Sequence, residues 1–265
     1  MNYAKIASSP MLKRFILALS LTVLLSACRV PETQPDPDVV PISVFYTPAL
    51  RPVTTALQAC AQEQPQSVLF IQEIPPDATQ AESSGITLRL GEPAGELPYA
   101  AQITREALAV IVSAENPVES LSEQQLREIF GGEIKRWDSI VPFEASVQSW
   151  LYPQGDEITR IVDQALLAGQ AVSTEALLAA DPQAVIKGVG SEPGGIGFVP
   201  SAWLAQQSSP ETQVKTVRLE RSLAISLRRP VLAVTSADPQ GAERDFLACL
   251  QNGAGQTVLN KRYSP

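Results

Sequence analysis

Leu25-Ser26-Ala27-Cys28 closes an apolar run behind a basic N-terminus, and this spacing equips a single thiol for a defined reaction. Lys13 and Arg14 make a charged n-region and Phe15 to Leu25 a short apolar h-region. Small residues then precede a cysteine that would receive lipid as the leader is cleaved. Residues 1–27 read as a lipoprotein signal peptide, with Cys28 as the lipidated N-terminus. The run is too short to span a bilayer comfortably. An ordinary secretory leader or an uncleaved anchor is the plainer alternative, and the cysteine directly after Leu-Ser-Ala favours lipidation. Met11 is an alternative start to Met1.

Elsewhere the chemistry is bounded by what is missing. The chain has no histidine, which removes the commonest metal ligand and the commonest general base. Lone serines therefore have nothing to activate them. The acids Glu92 and Glu96, and the pair Asp156 and Glu157, read as solvated carboxylates, because no separation or environment is set that would raise one of them into a hydrolytic role. Gly188-Val189-Gly190 followed by Gly194 misses the dinucleotide-binding spacing and has no helix directly after the turn. The expectation is no catalytic residue, no metal site and no cofactor, in a chain that is not an enzyme.

A net charge of −8 argues against nucleic acid as a partner, since no basic stripe follows Cys28 to neutralise phosphates. Arg29 to Pro41 is rich in proline and polar residues and reads as an extended tether, so that residues 28–41 are disordered and the folded part begins near Ile42. That leaves roughly 220 residues, enough for one sizeable domain or two small ones. With Cys28 committed to lipid, Cys60 and Cys249 permit one disulfide; two buried thiols on apolar helix faces are the alternative.

The elements alternate. Ile42 to Thr47, Val68 to Ile74, Ile86 to Leu90 and Ala107 to Val112 read as strands, the last a continuous apolar run suited to a strand covered on both faces. Arg51 to Gln62 carries helical spacing with Pro52 near its start. Ser122 and Gln125 form a capping box, Leu121 and Leu126 a hydrophobic staple, and Gly131 with Gly132 stop the helix whose buried face is Leu126, Ile129 and Phe130. Further on, a strand is predicted over Ser146 to Tyr152, helices over Thr159 to Ala168 and Ser173 to Ala180, and strands around Gly197 to Val199 and Lys215 to Leu219. A strand at Val231 to Val234 and a helix over Gly241 to Gln251 end the pattern at Gly253 and Gly255. Such alternation predicts an α/β fold.

Three segments, ALAVIVSAENPVESLSEQQLREIFGGEIKRWDSI, SEPGGIGFVP and DFLACLQNGAGQTVLNKRYSP, resemble in sequence and order the phosphate-binding lipoproteins of ABC transporters. The first is the most specific: Asn116 and Pro117 lead into a helix ending Ile129-Phe130 before Gly132, followed by Ile134 and Trp137. The resemblance covers residues 42–265. It implies a two-lobed periplasmic-binding-protein fold of the second type, with lobes joined by two crossing strands. Residues 42–112 and 220–265 would form lobe one and residues 113–219 lobe two. It further implies a monomer held outside the cytoplasm by its lipid, binding a small solute between the lobes and delivering it to a membrane permease. A sensory or interaction module on the same fold, with a protein partner, is the alternative. Cys60 and Cys249 would share a lobe, which favours the disulfide.

The family's ligand positions fall, in this chain, on altered residues. Its first loop becomes Tyr46-Thr47-Pro48-Ala49, keeping the Thr47 hydroxyl and losing an amide donor at Pro48. Its Ser-Arg element becomes Gly91-Glu92, with Arg89 two positions early. Its Arg-x-x-Gly-Ser-Gly-Thr element becomes Tyr152-Pro153-Gln154-Gly155-Asp156-Glu157-Ile158, where two acids cap a helix N-terminus and would repel a phosphate. The candidate ligand residues are Tyr46, Thr47, Arg89, Tyr152, Gly155, Asp156 and Glu157. Arg51 and Arg160 are further cations available to an anion, Tyr46 and Tyr152 are cleft walls or core, and Trp137 is packing.

Overall fold

Strands rich in Val, Ile and Leu, several covered on both faces, build one mixed sheet, and its order decides which loops meet. The structure is a computed structural model and describes residues 39–76, 78, 85–92, 99–205 and 213–263. The leader, Cys28, the tether as far as residue 38 and Glu96 lie outside the described residues. The strands are β1 (Val40–Tyr46), β2 (Ser67–Glu73), β3 (Ile86–Leu90), β4 (Tyr99–Ser113), β5 (Ser120–Leu121), β6 (Gln148–Leu151), β7 (Leu177–Leu178), β8 (Gly195–Pro200), β9 (Val214–Thr216), β10 (Arg218–Leu219) and β11 (Arg228–Thr235). The main sheet runs β2-β1-β3-β11-β4-β8-β6-β7, with β9 also on β4, and β5 pairs with β10 apart from it.

β4 is the strand on which the sheet turns. Its first half pairs antiparallel with β11, and Leu108 to Val112 pair antiparallel with β8. One section of the sheet is thus β1, β2, β3 and β11, and the other is β6 to β9. The chain returns from the second section beside β4, where the Val217 amide donates to the Val110 carbonyl and the Leu108 amide to the Leu227 carbonyl. β1 starts at Val40, earlier than the expected Ile42. Pro41 is tolerated there because β3 joins β1 only from Val44, so the missing donor faces no partner strand.

The helices are α1 (Thr54–Gln62), α2 (Glu123–Gly131), α3 (Glu157–Val162), α4 (Pro182–Ser191), α5 (Ser201–Leu204), α6 (Arg221–Ser226), α7 (Gly241–Asn252) and α8 (Ala254–Arg262). In α2 both halves of the capping box form, and Gly132 closes the helix at φ 83°. The buried Leu126, Ile129 and Phe130 anchor it, Phe130 stacking on Phe198 at 4.8 Å. Burial of each such side chain contributes about 1.5–3 kcal/mol, and Phe130→Ala should remove roughly 3–5 kcal/mol. Trp137 is fully buried and donates to the Gly194 carbonyl. Cys60 of α1 and Cys249 of α7 are joined as a disulfide, with Cα atoms 5.8 Å apart.

Several expected elements differ. The stretch expected as a helix from Arg51 begins as a 3-10 turn, Pro48–Val53, because two prolines remove the amides an α-helix would need. Thr159 to Ala168 is not one helix: α3 starts at Glu157 and passes into a π-helical turn, Asp163–Leu167. Ser173 to Ala180 is extended, containing β7, and the helix begins instead at Pro182 behind the cap Asp181. The strand expected at Lys215 to Leu219 is split into β9 and β10, which pair with different partners. The Gly188-Val189-Gly190 run lies within α4.

Candidate functional site

Three chain segments, far apart in sequence, converge where β1 and β3 end and α3 begins. Thr47 follows β1 directly and is fully buried. Its hydroxyl does not cap its own 3-10 turn. It donates to Glu157 Oε2 at 2.6 Å. At the end of β3 the Leu90 amide donates to Glu157 Oε1 at 3.3 Å, and Arg89 Nη1 lies 3.7 Å from the same oxygen. The Arg89 side chain is 8% exposed and is held by the carbonyls of Pro76 and Ala78. Glu157 is only 1% exposed.

The local sequence explains how this carboxylate is aimed. Gly155 takes φ 95° in the turn before α3. Asp156 then caps the helix, its Oδ1 accepting the Ile158 amide at 2.8 Å. With the cap supplied by Asp156, Glu157 at the first helical position is free to point across to the other section. The two acids read together from sequence as one capping pair are thus separated: Asp156 caps, and Glu157 takes donors from β1 and β3.

Electrostatics follow from burial. Desolvation raises the Glu157 pKa to about 7, offset in part by the Thr47 hydrogen bond and the Arg89 charge, and increased by Asp156. Burial also raises Asp156, against the pull of the Ile158 and Thr159 amides and Arg160. A hydroxyl, a backbone amide and a guanidinium around two oxygens form a donor set that recognises a small charged oxyanion.

The other candidates are placed differently. Tyr152 is buried and its hydroxyl donates to the Phe198 carbonyl at 2.9 Å, so it is core. With Gly155 it also borders a cavity of about 740 Å³ formed within the second section by residues including Trp150, Arg160 and Leu178. Tyr46 is buried, and its carbonyl accepts the Ile74 amide. Glu92 is exposed. Arg51 is engaged by carboxylates, at 2.7 Å from Glu73 and 3.2 Å from Asp181, and lies 5.0 Å from the ring centroid of Trp203. Trp203 Nε1 donates to the Ala49 carbonyl at 3.0 Å, a second tie between the sections.

Sequence reasoning missed Asp181, Trp203 and the Leu90 amide. Asp181 carried a usable signal, since an N-cap acid followed by proline at the first helical position starts a helix. Nothing local marks the other two. Among the described residues no cluster of three or more His, Cys, Asp or Glu side chains could hold a metal ion, and no helix is long and apolar enough to cross a membrane.

The model of the PBP superfamily domain matches residues 80–243. No curated protein sequence matches the chain. Among solved structures it is similar to a phosphate ABC transporter substrate-binding protein from Clostridium perfringens with bound phosphate, at 18% identity and TM-score 0.72 over 84% of this chain and 98% of that one. An ABC-type phosphate transport receptor from Vibrio cholerae matches at 15% identity and TM-score 0.66, over 84% and 100%. The CcmR regulatory domain from Synechocystis, in complex with 2-PG, matches at 12% identity and TM-score 0.61, over 80% and 95%. At these identities the likeness is one of fold, the mixed α/β arrangement of type II periplasmic binding proteins.

Proposed function

The chain belongs to the PBP superfamily, and from that membership we propose a lipid-anchored, extracytoplasmic solute-binding protein of the phosphate-binder type. Lipid on Cys28 holds it to a membrane, and it serves the permease of an ABC-type uptake system as a monomer. Lobe one comprises residues 42–112 and 220–265, and lobe two residues 113–219. The solute is a small oxyanion taken between them.

The observation that carries this reading is the convergence of the Thr47 hydroxyl, the Leu90 amide and Arg89 on two carboxylate oxygens. These donors lie at strand ends facing a helix start, where open α/β sheets collect ligands. The named phosphate proteins of the same fold bind the same chemical class. A second reading, a non-transporting sensory or interaction module, is favoured by a specific feature: the Arg51–Asp181 and Trp203–Ala49 ties join the sections through the chain's own groups.

The test is a thermal-shift and calorimetric panel on the unlipidated full chain, C28S, with phosphate, sulfate, carboxylates and neutral solutes. Saturable stabilisation by a small oxyanion between pH 6 and 8 supports solute binding. Stabilisation by none of these solutes, in a protein that melts cooperatively, leaves the second reading.

A further inference from the structure

We propose that Thr47, the Leu90 amide and Arg89 form an oxyanion receptor whose resident ligand is the chain's own Glu157 side chain, so that an external oxyanion binds only by displacing it. This rests on the reading of the inter-lobe centre as the solute site and adds its regulation.

The geometry is that of a bound ligand. One carboxylate oxygen takes a hydroxyl at 2.6 Å and the other an amide at 3.3 Å, with a guanidinium nitrogen at 3.7 Å. All three donors come from the first section, whereas the carboxylate comes from the second, on α3. A carboxylate and a phosphate or sulfate present the same paired, negatively charged oxygens to such donors. Glu157 has no capping task that would otherwise place it there, because Asp156 performs that task. A tethered ligand of this kind competes at an effective concentration on the order of millimolar or more. Micromolar oxyanion would therefore not be captured while the Glu157 side chain is seated.

Proton binding strengthens the competition, and proton release relieves it. The groups facing Glu157 are Thr47 from the β1 loop, Arg89 and the Leu90 amide from β3, and Asp156 and Arg160 from α3 itself. Of these, Arg89 and Arg160 favour the charged carboxylate and Asp156 opposes it. The seated carboxyl holds a proton up to about pH 7 because burial penalises its charge, whereas the displaced side chain in water releases it in the ordinary carboxyl range, so displacement by an anion gives up a proton and becomes easier as pH rises. No bond is made or broken beyond that one proton release. Burial places the change near pH 7.

The experiment titrates the C28S full chain, alone and with E157A, E157Q and T47V/E157A, against sulfate from pH 6 to 8.5. Sulfate keeps its charge over this range, so any pH dependence belongs to the protein; inorganic phosphate is the second probe. We expect the wild-type affinity for sulfate to rise about tenfold as pH rises from 6 to 8.5. E157A should bind at least tenfold tighter than wild type at pH 6, with a flat pH profile, and T47V/E157A should lose that gain. E157Q, which keeps the volume, should also lose the pH dependence if E157A does not fold. Cooperatively melting variants that bind sulfate no tighter than wild type, or a wild-type affinity independent of pH, would overturn the proposal. A neutral solute bound in the cleft, with no oxyanion gain in E157A, would sink the internal ligand and leave solute binding standing. A clear gain in E157A, with no solute for wild type at any pH, would do the reverse.

Discussion

Arg51 and Asp181, 130 residues apart, meet at 3.2 Å across the two sections of the sheet. Arg51 also grips Glu73 through two nitrogens, at 2.7 and 2.9 Å, and lies over Trp203. The pair is a tie outside the oxyanion centre. Its side chains are 35% and 23% exposed, so solvent screening holds their coupling to about 0.5–1 kcal/mol. A double-mutant cycle of R51A and D181N should return a coupling of that size, asparagine preserving the cap that Asp181 gives the Ala184 amide. Hydrogen exchange around Ala49 and Trp203 should quicken in R51A. A coupling near zero with unchanged exchange would mean the tie does not hold the sections.

Stability should fall as pH rises through the neutral range. Glu106 of β4 is 2% exposed and accepts amides of Ala107 and Ala202, yet burial raises its pKa to about 8. Glu157 is raised to about 7. Both acids hold protons in the folded chain that the unfolded chain releases near its ordinary carboxyl range. Their stabilisation is complete below about pH 4.3 and is lost as pH rises through 7 and 8, at up to about 1.4 kcal/mol per tenfold change in proton binding. Thermal melts from pH 5 to 9 should show a declining Tm, and E106Q should flatten the upper part. A Tm that climbs across this window would contradict the assignment.

The disulfide should matter more than any single ion pair. It joins α1 to α7 across 189 residues of chain, and loss of that constraint in C60S/C249S should remove about 2–4 kcal/mol. Urea denaturation with and without reductant checks this, and equal midpoints would contradict it. Gly255 is tied to the same spot, because a Cβ there would run into Cys60 Sγ. G255A should destabilise the oxidised protein.

Lipidation predicts a sharp fractionation change. The wild-type chain should carry labelled fatty acid into the detergent phase of a detergent–water partition, and C28S should carry none. A wild-type chain that takes up no label would contradict lipidation at Cys28.

Much of the fold was legible because its signals are local. Ser122 and Gln125 announce the start of α2 and Gly132 its end, while Ile86 to Leu90 needed only the alternation of Ile86, Leu88 and Leu90. Where two local signals competed, the weaker won: an alanine-rich stretch suggested a helix over Ser173 to Ala180, although Asp181-Pro182 marked the true start. Gly253 and Gly255 suggested that the helical chain stops, whereas Gly255 is needed for close packing on the disulfide and α8 continues through it. The first half of β4 was hidden by its polar Gln102, Arg105 and Glu106. The site was least legible, because Asp156 and Glu157 look alike beside a helix start. Their roles are distinguished by donors distant in sequence, Thr47 and Leu90, 110 and 67 residues from Glu157.

The central claim is that the Glu157 carboxylate occupies an oxyanion receptor. Following the side-chain carboxyl carbon of Glu157 by NMR, with pH and then with added phosphate, addresses it most directly. The account predicts a titration near pH 7 and a shift on phosphate addition as the carboxylate leaves Thr47 and Arg89. An ordinary carboxyl titration near 4.3, unmoved by phosphate, would contradict it.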